Sequence, residues 1–303
     1  MTSPAPVRAV AEGLPWRDGV AQACVTSPPY WGLRRYGDHP DELGTEDLHV
    51  YLSRLVEVFA EVRRVLRPDG LIWVNIADTA AGSGGAGGDY LTPAADARSR
   101  RRAPVLRRDY RQARPTIWRP TTTYGEAELS ALMGGQWCNV PGRLVTALQD
   151  DGWRLRSWIT WAKTSTAGRA MLRPEDLGHA NRPGVSTEAV LLLAPGPSRS
   201  VFEPDELVER GDVWRFPPVM GRYRGPAPFP DELARRCILP STRRGDLVVD
   251  PFHGSGTTGR VARQLGRRYA GADLYATTTA VDRGSVPRLP ALDGQLGLFD
   301  SAA

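Results

Sequence analysis

The sequence predicts an α/β fold built on a mainly parallel sheet. Three observations support this prediction. An amphipathic helical pattern runs directly into the continuous apolar stretch 71–76, two similar apolar runs occur at 21–27 and 246–250, and a glycine-rich turn joins the last of these to a helix and another strand. Continuous apolar runs are typical of parallel strands, because helices cover both faces of such a sheet.

The first predicted elements follow one another closely. Residues 21–27 (AQACVTS) predict a buried strand, and apolar residues between Gly44 and Gly70 recur at the i, i+3, i+4, i+7 spacing of a helix. Pro68 and Gly70 predict the end of that helix, and residues 71–76 (LIWVNI) predict the next strand.

Residues 81–135 interrupt this alternation with glycine-rich and then arginine-rich sequence, which predicts an insertion. The pattern resumes with a short helix at 140–153, an alternating strand at 153–163 and a buried strand at 188–194. The insertion therefore divides the α/β domain into two stretches of sequence.

Composition predicts a folded protein of one large domain or two small ones, since the 303 residues are 41% hydrophobic and 24% charged. Cys24, Cys138 and Cys237 are far apart and unpaired with histidine, which argues against a metal site and against a disulfide framework. No apolar run reaches about 18 residues and the first residues lack a signal sequence, so we expect a cytoplasmic protein.

Basic residues are concentrated in one segment, which we call the arginine cluster (98–119). It holds nine arginines and one acidic residue, whereas the whole chain has a net charge of only +5. Such clustering favours a polyanion partner, because arginine supplies phosphate contacts; a solvated loop is the alternative. The arginines expected to bind DNA are Arg100, Arg101, Arg102, Arg107 and Arg108.

Residues 250–273 carry a nucleotide-binding pattern. A strand leads into Gly254-x-Gly256-x-x-Gly259, a helix follows, and a second strand ends at Asp273, where a carboxylate can bind ribose hydroxyls. Alone, this segment also fits an NAD-dependent oxidoreductase. Only 30 residues follow Asp273, however, so earlier strands must complete the sheet.

A second motif, Ser27-Pro28-Pro29-Tyr30, directly follows the apolar run 21–27 and is therefore expected at the carboxyl edge of the sheet. Prolines offer no backbone N–H, so the Pro28 carbonyl and the Ser27 side chain can accept hydrogen bonds from an amino group. Tyr30 adds an aromatic ring on which a base could stack.

Together these segments resemble the permuted (beta-type) amino-methylating DNA methyltransferases that use S-adenosylmethionine, in the TSPPYW subgroup. Five blocks match in the family's order: TSPPYWGLRRYG, RVLRPDGLIWVNIADT, LVTALQDDGWRLRSWITWAK, GPAPFPDELARRCIL and DPFHGSGTTGRVARQLGRRYAGADL. The resemblance implies a Rossmann-like methyltransferase sheet in circular order, with the catalytic motif before the cofactor motif.

The resemblance also implies the reaction. We expect methyl transfer to cytosine N4 in double-stranded DNA by base flipping, since Ser opens the tetrapeptide; adenine N6 is the alternative. The implied catalytic residues are Ser27, Pro28, Pro29 and Tyr30. The implied cofactor-binding residues are Thr26, Phe229, Asp250, Phe252, Gly254, Ser255, Gly256, Thr257 and Asp273. No metal is implied.

These assignments predict a catalytic domain in 1–80 and 136–275, with a candidate target-recognition part at 164–224 that includes Arg169, Arg173, Arg182 and Trp214. The insertion 81–135 is expected to face DNA, and 276–303 is expected to form a flexible tail. Within that tail, Gln295, Leu296, Leu298 and Phe299 resemble the peptide that binds the replication sliding clamp. Docking of these apolar residues on the enzyme's own surface is the alternative.

Overall fold

The computed structural model describes residues 7–32, 36, 39–79, 137–165, 167–171, 185–197, 200–206, 208–219 and 228–275. Within them, eight strands form one mixed sheet in the order β1-β8-β7-β2-β3-β5-β4-β6. The strands are β1 (Val7–Arg8), β2 (Ala21–Thr26), β3 (Leu66–Ile76), β4 (Arg154–Lys163), β5 (Thr187–Ala194), β6 (Val213–Phe216), β7 (Leu247–Asp250) and β8 (Arg268–Asp273). The α-helices are α1 (Leu48–Val65), α2 (Val140–Asp150), α3 (Asp231–Ser241) and α4 (Thr257–Gln264).

The sheet is parallel except around β5. Strand β2, which precedes the Ser-Pro-Pro-Tyr segment, pairs in parallel with β7 on one side and β3 on the other. Strand β5 pairs antiparallel with both β3 and β4, and β6 is again parallel to β4. The strand before the tetrapeptide and the strand before the glycine loop are therefore direct neighbours.

Helices cover both faces of the sheet, as expected for buried apolar strands. On one face, Tyr51, Phe59 and Leu144 from α1 and α2 pack into one apolar core. On the other face, Ile238 of α3 and Val261 of α4 pack into a second core. This layered arrangement explains why the predicted strands at 71–76 and 188–194 are continuous apolar runs.

The helical periodicity correctly locates α1, but β3 begins earlier than the apolar run alone predicts. The helix ends at Val65, and the strand starts immediately at Leu66 instead of after Gly70. Ala21 of β2 pairs with Leu66, and the register shifts before Ala23 pairs with Leu71. The polar residues around Pro68 thus belong to an irregular part of the strand rather than to a separate loop.

No helix in the described part of the chain is long and apolar enough to span a membrane. Nor do three or more His, Cys, Asp or Glu side chains among those residues come together as a group that could hold a metal ion. Cys24, Cys138 and Cys237 are all buried free thiols.

Candidate active site

Among the described residues, seven strands run in the same direction and bring their carboxyl ends to one edge of the sheet, and reversed β5 contributes its amino end to that edge. Ser27 follows β2, the glycine loop follows β7, and Asp273 ends β8. The two sequence motifs are therefore adjacent: each follows a strand, as predicted, and the structure pairs those two strands, β2 and β7, directly.

The Ser-Pro-Pro-Tyr segment is held firmly in place. The Tyr30 hydroxyl accepts a hydrogen bond of 3.3 Å from Ser27 Oγ and donates one of 2.9 Å to Glu188 Oε2. The Tyr51 hydroxyl of α1 donates to the Pro29 carbonyl at 2.7 Å. Ser27 and Tyr30 are half-buried, so both combine fixed geometry with access to a ligand.

Behind Tyr30 lies a buried polar cluster contributed by β3, β4 and β5. The Asn75 amide nitrogen donates to Glu188 Oε2 at 3.0 Å, and its oxygen lies 3.2 Å from the Tyr30 hydroxyl. Lys163 forms a hydrogen-bonded ion pair with Glu188 Oε1. Burial raises the pKa of Glu188, but the charge and hydrogen bond of Lys163, with the hydrogen bonds of Tyr30 and Asn75, outweigh it and lower that pKa below its usual value.

The loop after β7 is shaped by left-handed glycines. Gly254 has φ of 49° and Gly256, the residue capping the amino end of α4, has φ of 78°. A Cβ on Gly256 would lie 3.0 Å from the His253 ring, so both the positive φ and the limited space favour glycine at this position. The glycines of this partly buried loop carry no side chain, which allows a ligand to approach the loop backbone closely.

Asp273 closes this loop from the end of β8. One carboxylate oxygen accepts the Gly254 N–H at 2.8 Å and the other accepts the Tyr275 N–H at 2.9 Å. Each oxygen keeps a second lone pair, so the carboxylate can still accept hydrogen bonds from two hydroxyl groups.

Asp250, at the end of β7, lies beneath the loop and is fully buried. It accepts hydrogen bonds from Thr26 Oγ1 and from the Phe252 N–H, the latter at 3.0 Å. Burial, with a smaller contribution from the Asp273 charge, raises the pKa of Asp250 to about 6 although these hydrogen bonds lower it. Asp250 therefore shapes the loop from inside the protein.

The remaining predicted cofactor residues border the same edge. Phe252 is partly buried against the core beneath α1, and Phe229 precedes α3 and packs against the opposite core. Ser255 and Thr257 hydroxyls lie 3.2 Å apart at the start of α4. His253 bonds to the Tyr269 hydroxyl at 2.7 Å, and burial lowers the pKa of this histidine, consistent with a structural role in the loop.

Several residues that were assigned a role from the sequence lie outside the described residues or away from this site. Arg100, Arg101, Arg102, Arg107, Arg108 and the tail residues Gln295, Leu296, Leu298 and Phe299 lie outside the described residues, as do Arg173 and Arg182. Trp214, named within the candidate target-recognition part 164–224, is 2% exposed in β6 and packs on Trp73, so its side chain belongs to the apolar core. Strands β5 and β6, both within 164–224, likewise belong to the sheet.

Asn75, Lys163 and Glu188 were missed as site residues. A usable sign was present, because Lys163 is the single lysine among 39 basic residues. A cavity of about 480 Å³, lined by residues such as Gln22, Arg67 and Asp246, opens at the opposite edge of the sheet. It is remote from both motifs, and none of its lining residues belongs to the site.

Comparison with known proteins agrees with this geometry. Residues 21–280 match the family model described as DNA methylase. The Type II methyltransferase M.Cfr9I of Citrobacter freundii is 37% identical over 268 residues, covering 84% of this chain and 78% of that protein. M.XycI of Xanthomonas campestris pv. cyanopsidis is 37% identical over 278 residues, covering 88% of this chain and 81% of that protein.

Solved structures show the same fold. The cytosine-N4-specific PvuII DNA methyltransferase aligns with a TM-score of 0.57 at 16% identity, over 86% of this chain and 77% of that one. A putative DNA modification methylase from Thermus thermophilus, solved with S-adenosyl-L-methionine, aligns with a TM-score of 0.54 at 20% identity, over 90% of this chain and 86% of that one.

Proposed function

This chain belongs to the DNA methylase family, and we propose that it methylates the exocyclic N4 amine of cytosine in double-stranded DNA. The family assignment makes the chain a Type II DNA amino-methyltransferase that uses S-adenosylmethionine and acts on cytosine N4 or adenine N6. The oxidoreductase alternative suggested by the glycine pattern alone is therefore abandoned.

The observation that carries the N4 proposal is Ser27, which opens the tetrapeptide at the end of β2. In enzymes of this family, serine at that position goes mostly with cytosine N4, whereas Asp or Asn goes mostly with adenine N6. The likeness in fold to a cytosine-N4-specific enzyme supports the same choice.

The glycine loop and Asp273 fit the cofactor. The residues that would hold it are Gly254, Ser255, Gly256 and Thr257 at the methionine end and Asp273 at the ribose hydroxyls. Gly254 and Gly256, which carry no side chain, and the spare lone pairs of Asp273 support this assignment, because they offer room and acceptors. When bound, S-adenosylmethionine supplies an electrophilic methyl group on sulfur.

The tetrapeptide fits an amine substrate. The lone pair of an exocyclic amine is delocalised into the base, and acceptors that hold its two N–H bonds out of the ring plane localise it on nitrogen. We expect Ser27 Oγ and the Pro28 carbonyl to be those acceptors. We expect the Tyr30 ring, whose hydroxyl is hydrogen-bonded to Ser27 and Glu188, to stack on the base. The buried cysteines have no part in this chemistry.

A target amine inside a duplex must be extruded before it can reach these residues, at a cost of a few kcal/mol. We propose that the arginine cluster offsets part of this cost by binding phosphates, and that 295–299 tethers the enzyme to the sliding clamp. Both segments lie outside the described residues, so sequence alone supports these two assignments.

Mass spectrometry of nucleosides tests the proposal. DNA from cells expressing the enzyme is expected to contain N4-methylcytosine, whereas cells expressing Ser27→Ala control for methylation by the host. N6-methyladenine without N4-methylcytosine would overturn the choice of base and establish the adenine alternative.

A further inference from the structure

A buried ion pair between Lys163 and Glu188 lies behind the tetrapeptide, and the hydrogen bond from Tyr30 to Glu188 links the two. The side chains of Lys163 and Glu188 are 3% and 9% exposed, and they come from the ends of β4 and β5 that reach the active-site edge. Burying two charges is costly unless they are paired and hydrogen-bonded. All other 38 basic residues of the chain are arginine, so a lysine is used only at this position.

Glu188 acts as a hydrogen-bond acceptor in this cluster. Its Oε1 binds Lys163, while Oε2 accepts from both Tyr30 and the Asn75 amide. The Asn75 amide also donates to the Ala189 carbonyl at 3.2 Å, which fixes its orientation. An ionised carboxylate has no hydrogen to donate, so the Tyr30 hydroxyl must donate towards it.

This fixes the direction of a chain of hydroxyl groups. The single hydroxyl hydrogen of Tyr30 points to Glu188, the nearer and charged acceptor, at 2.9 Å compared with 3.2 Å for Asn75. The oxygen of Tyr30 is then left to accept from Ser27 Oγ at 3.3 Å. Ser27 consequently turns its hydrogen towards Tyr30 and its lone pairs away from it.

We propose that Lys163 and Glu188 are positioning residues that, acting through Tyr30, keep Ser27 a hydrogen-bond acceptor for the substrate amine. The inference rests on the proposed function, because it assigns the orientation of a group that meets that amine. If Ser27 donated its hydrogen to the amine nitrogen, it would occupy the lone pair that must attack the methyl group. The ion pair prevents this without touching the substrate.

A double-mutant cycle tests the proposal. In Glu188→Gln the new amide can donate to Tyr30 and reverse the chain, so kcat is expected to fall on the order of tenfold or more with cofactor affinity unchanged. Because this loss acts through Ser27, Glu188→Gln should cause little further loss in Ser27→Ala. Glu203→Gln, which alters a surface pair with Arg243 at the opposite edge, is the control and should retain full activity.

Variants of Lys163 give a second measurement, which does not require the Glu188→Gln variant to fold. Lys163→Met is expected to lower kcat, and Lys163→Arg, which restores the charge, to recover part of the loss. Either exocyclic amine needs the same acceptor, so the cycle is decisive whichever methylated base the wild-type enzyme produces. Additive losses in the double variant, or a loss confined to cofactor affinity, would overturn the inference and leave the methyltransferase function intact.

Discussion

The Thr26 hydroxyl donates a 2.6 Å hydrogen bond to the Asp250 carboxylate, although 224 residues separate the two in the sequence. Both side chains are buried, Thr26 directly before the Ser-Pro-Pro-Tyr segment and Asp250 directly before the glycine loop. This contact links the carboxyl ends of β2 and β7, the strands that precede the two motifs. It therefore restrains movement of one loop relative to the other.

The first prediction concerns Asp250 and pH. Its pKa is about 6 in the folded protein and about 3.9 in an unfolded chain. Between these values the folded state holds a proton that the unfolded state releases, so the contribution of Asp250 to stability is lost as pH rises through about 6.

Asp250→Asn removes this titration and keeps an oxygen for Thr26 and Phe252. The stability of the variant relative to wild type should therefore increase between about pH 4 and about pH 7, by at most about 3 kcal/mol. Urea unfolding of both cofactor-free proteins at several pH values measures this change in relative stability. A stability difference that does not change with pH would show that Asp250 keeps an ordinary pKa.

The second prediction concerns the close packing of α4 on β8. A Cβ on Gly259 would lie 2.6 Å from the ring of Tyr269, which is 2% exposed. Gly259→Ala is expected to destabilise the fold by about 1–3 kcal/mol despite the better helix propensity of alanine. Thermal and urea unfolding measure this, with Gly196→Ala, which has no atom within 4 Å, as the neutral control. Equal stability of both variants would contradict the prediction.

The third prediction concerns Asp273. Asp273→Ala removes the acceptor of the Gly254 N–H and the acceptor proposed for the ribose hydroxyls, so cofactor affinity should fall at least about tenfold, with a smaller fall in Asp273→Asn. Calorimetric titration with S-adenosylmethionine measures the affinity. Asp205→Ala, which removes an exposed carboxylate paired with Arg210, serves as control. Wild-type affinity in Asp273→Ala would rule out this role.

The fourth prediction concerns the arginine cluster. Replacing Arg100, Arg101 and Arg102 with Ala should weaken binding equally to cognate and random duplexes and reduce the salt dependence by about one unit per lost phosphate contact. Binding is measured at several salt concentrations, with the exposed Arg210→Ala and Arg243→Ala changes combined as control. An unchanged salt slope would leave the cluster as a solvated segment.

The fifth prediction concerns the tail. Deleting residues 295–299 should abolish binding to the sliding clamp and leave methylation of short oligonucleotides intact, since tethering changes only local concentration. Surface plasmon resonance with immobilised clamp and an oligonucleotide assay measure the two effects. Lower thermal stability after deletion, or no binding by the intact protein, would favour docking of the tail on the enzyme itself.

The sequence was sufficient to predict those parts of the site that lie within one segment. The periodicity of α1, the apolar strands and the two loop motifs are local patterns, and the structure places Ser27 and Gly254 each after a strand as predicted. That these two strands, β2 and β7, pair with each other was not predicted. Lys163 and Glu188 could not be found in this way. They meet because β5 is inserted in reverse between β3 and β4, a pairing that no local pattern specifies.

A second pairing that local sequence does not specify accounts for Trp214, which was included in the candidate target-recognition part. Strand β6 adds to the sheet beside β4 and turns Trp214 into the core. There the guanidinium of Arg236 in α3 lies 5.6 Å from its ring centre. Short edge strands such as β6 carry too few residues for a periodic pattern.

The burial of the single lysine has a practical consequence for reagents that acylate amines. With 38 arginines and no other lysine, the chain offers such reagents one side-chain amine, and that amine is 3% exposed beside the catalytic motif. Acylation of Lys163 then requires local opening of this edge of the sheet. The rate at which the side chain is modified would report how often the active site opens in the native enzyme, and ligands that hold it closed would slow that rate.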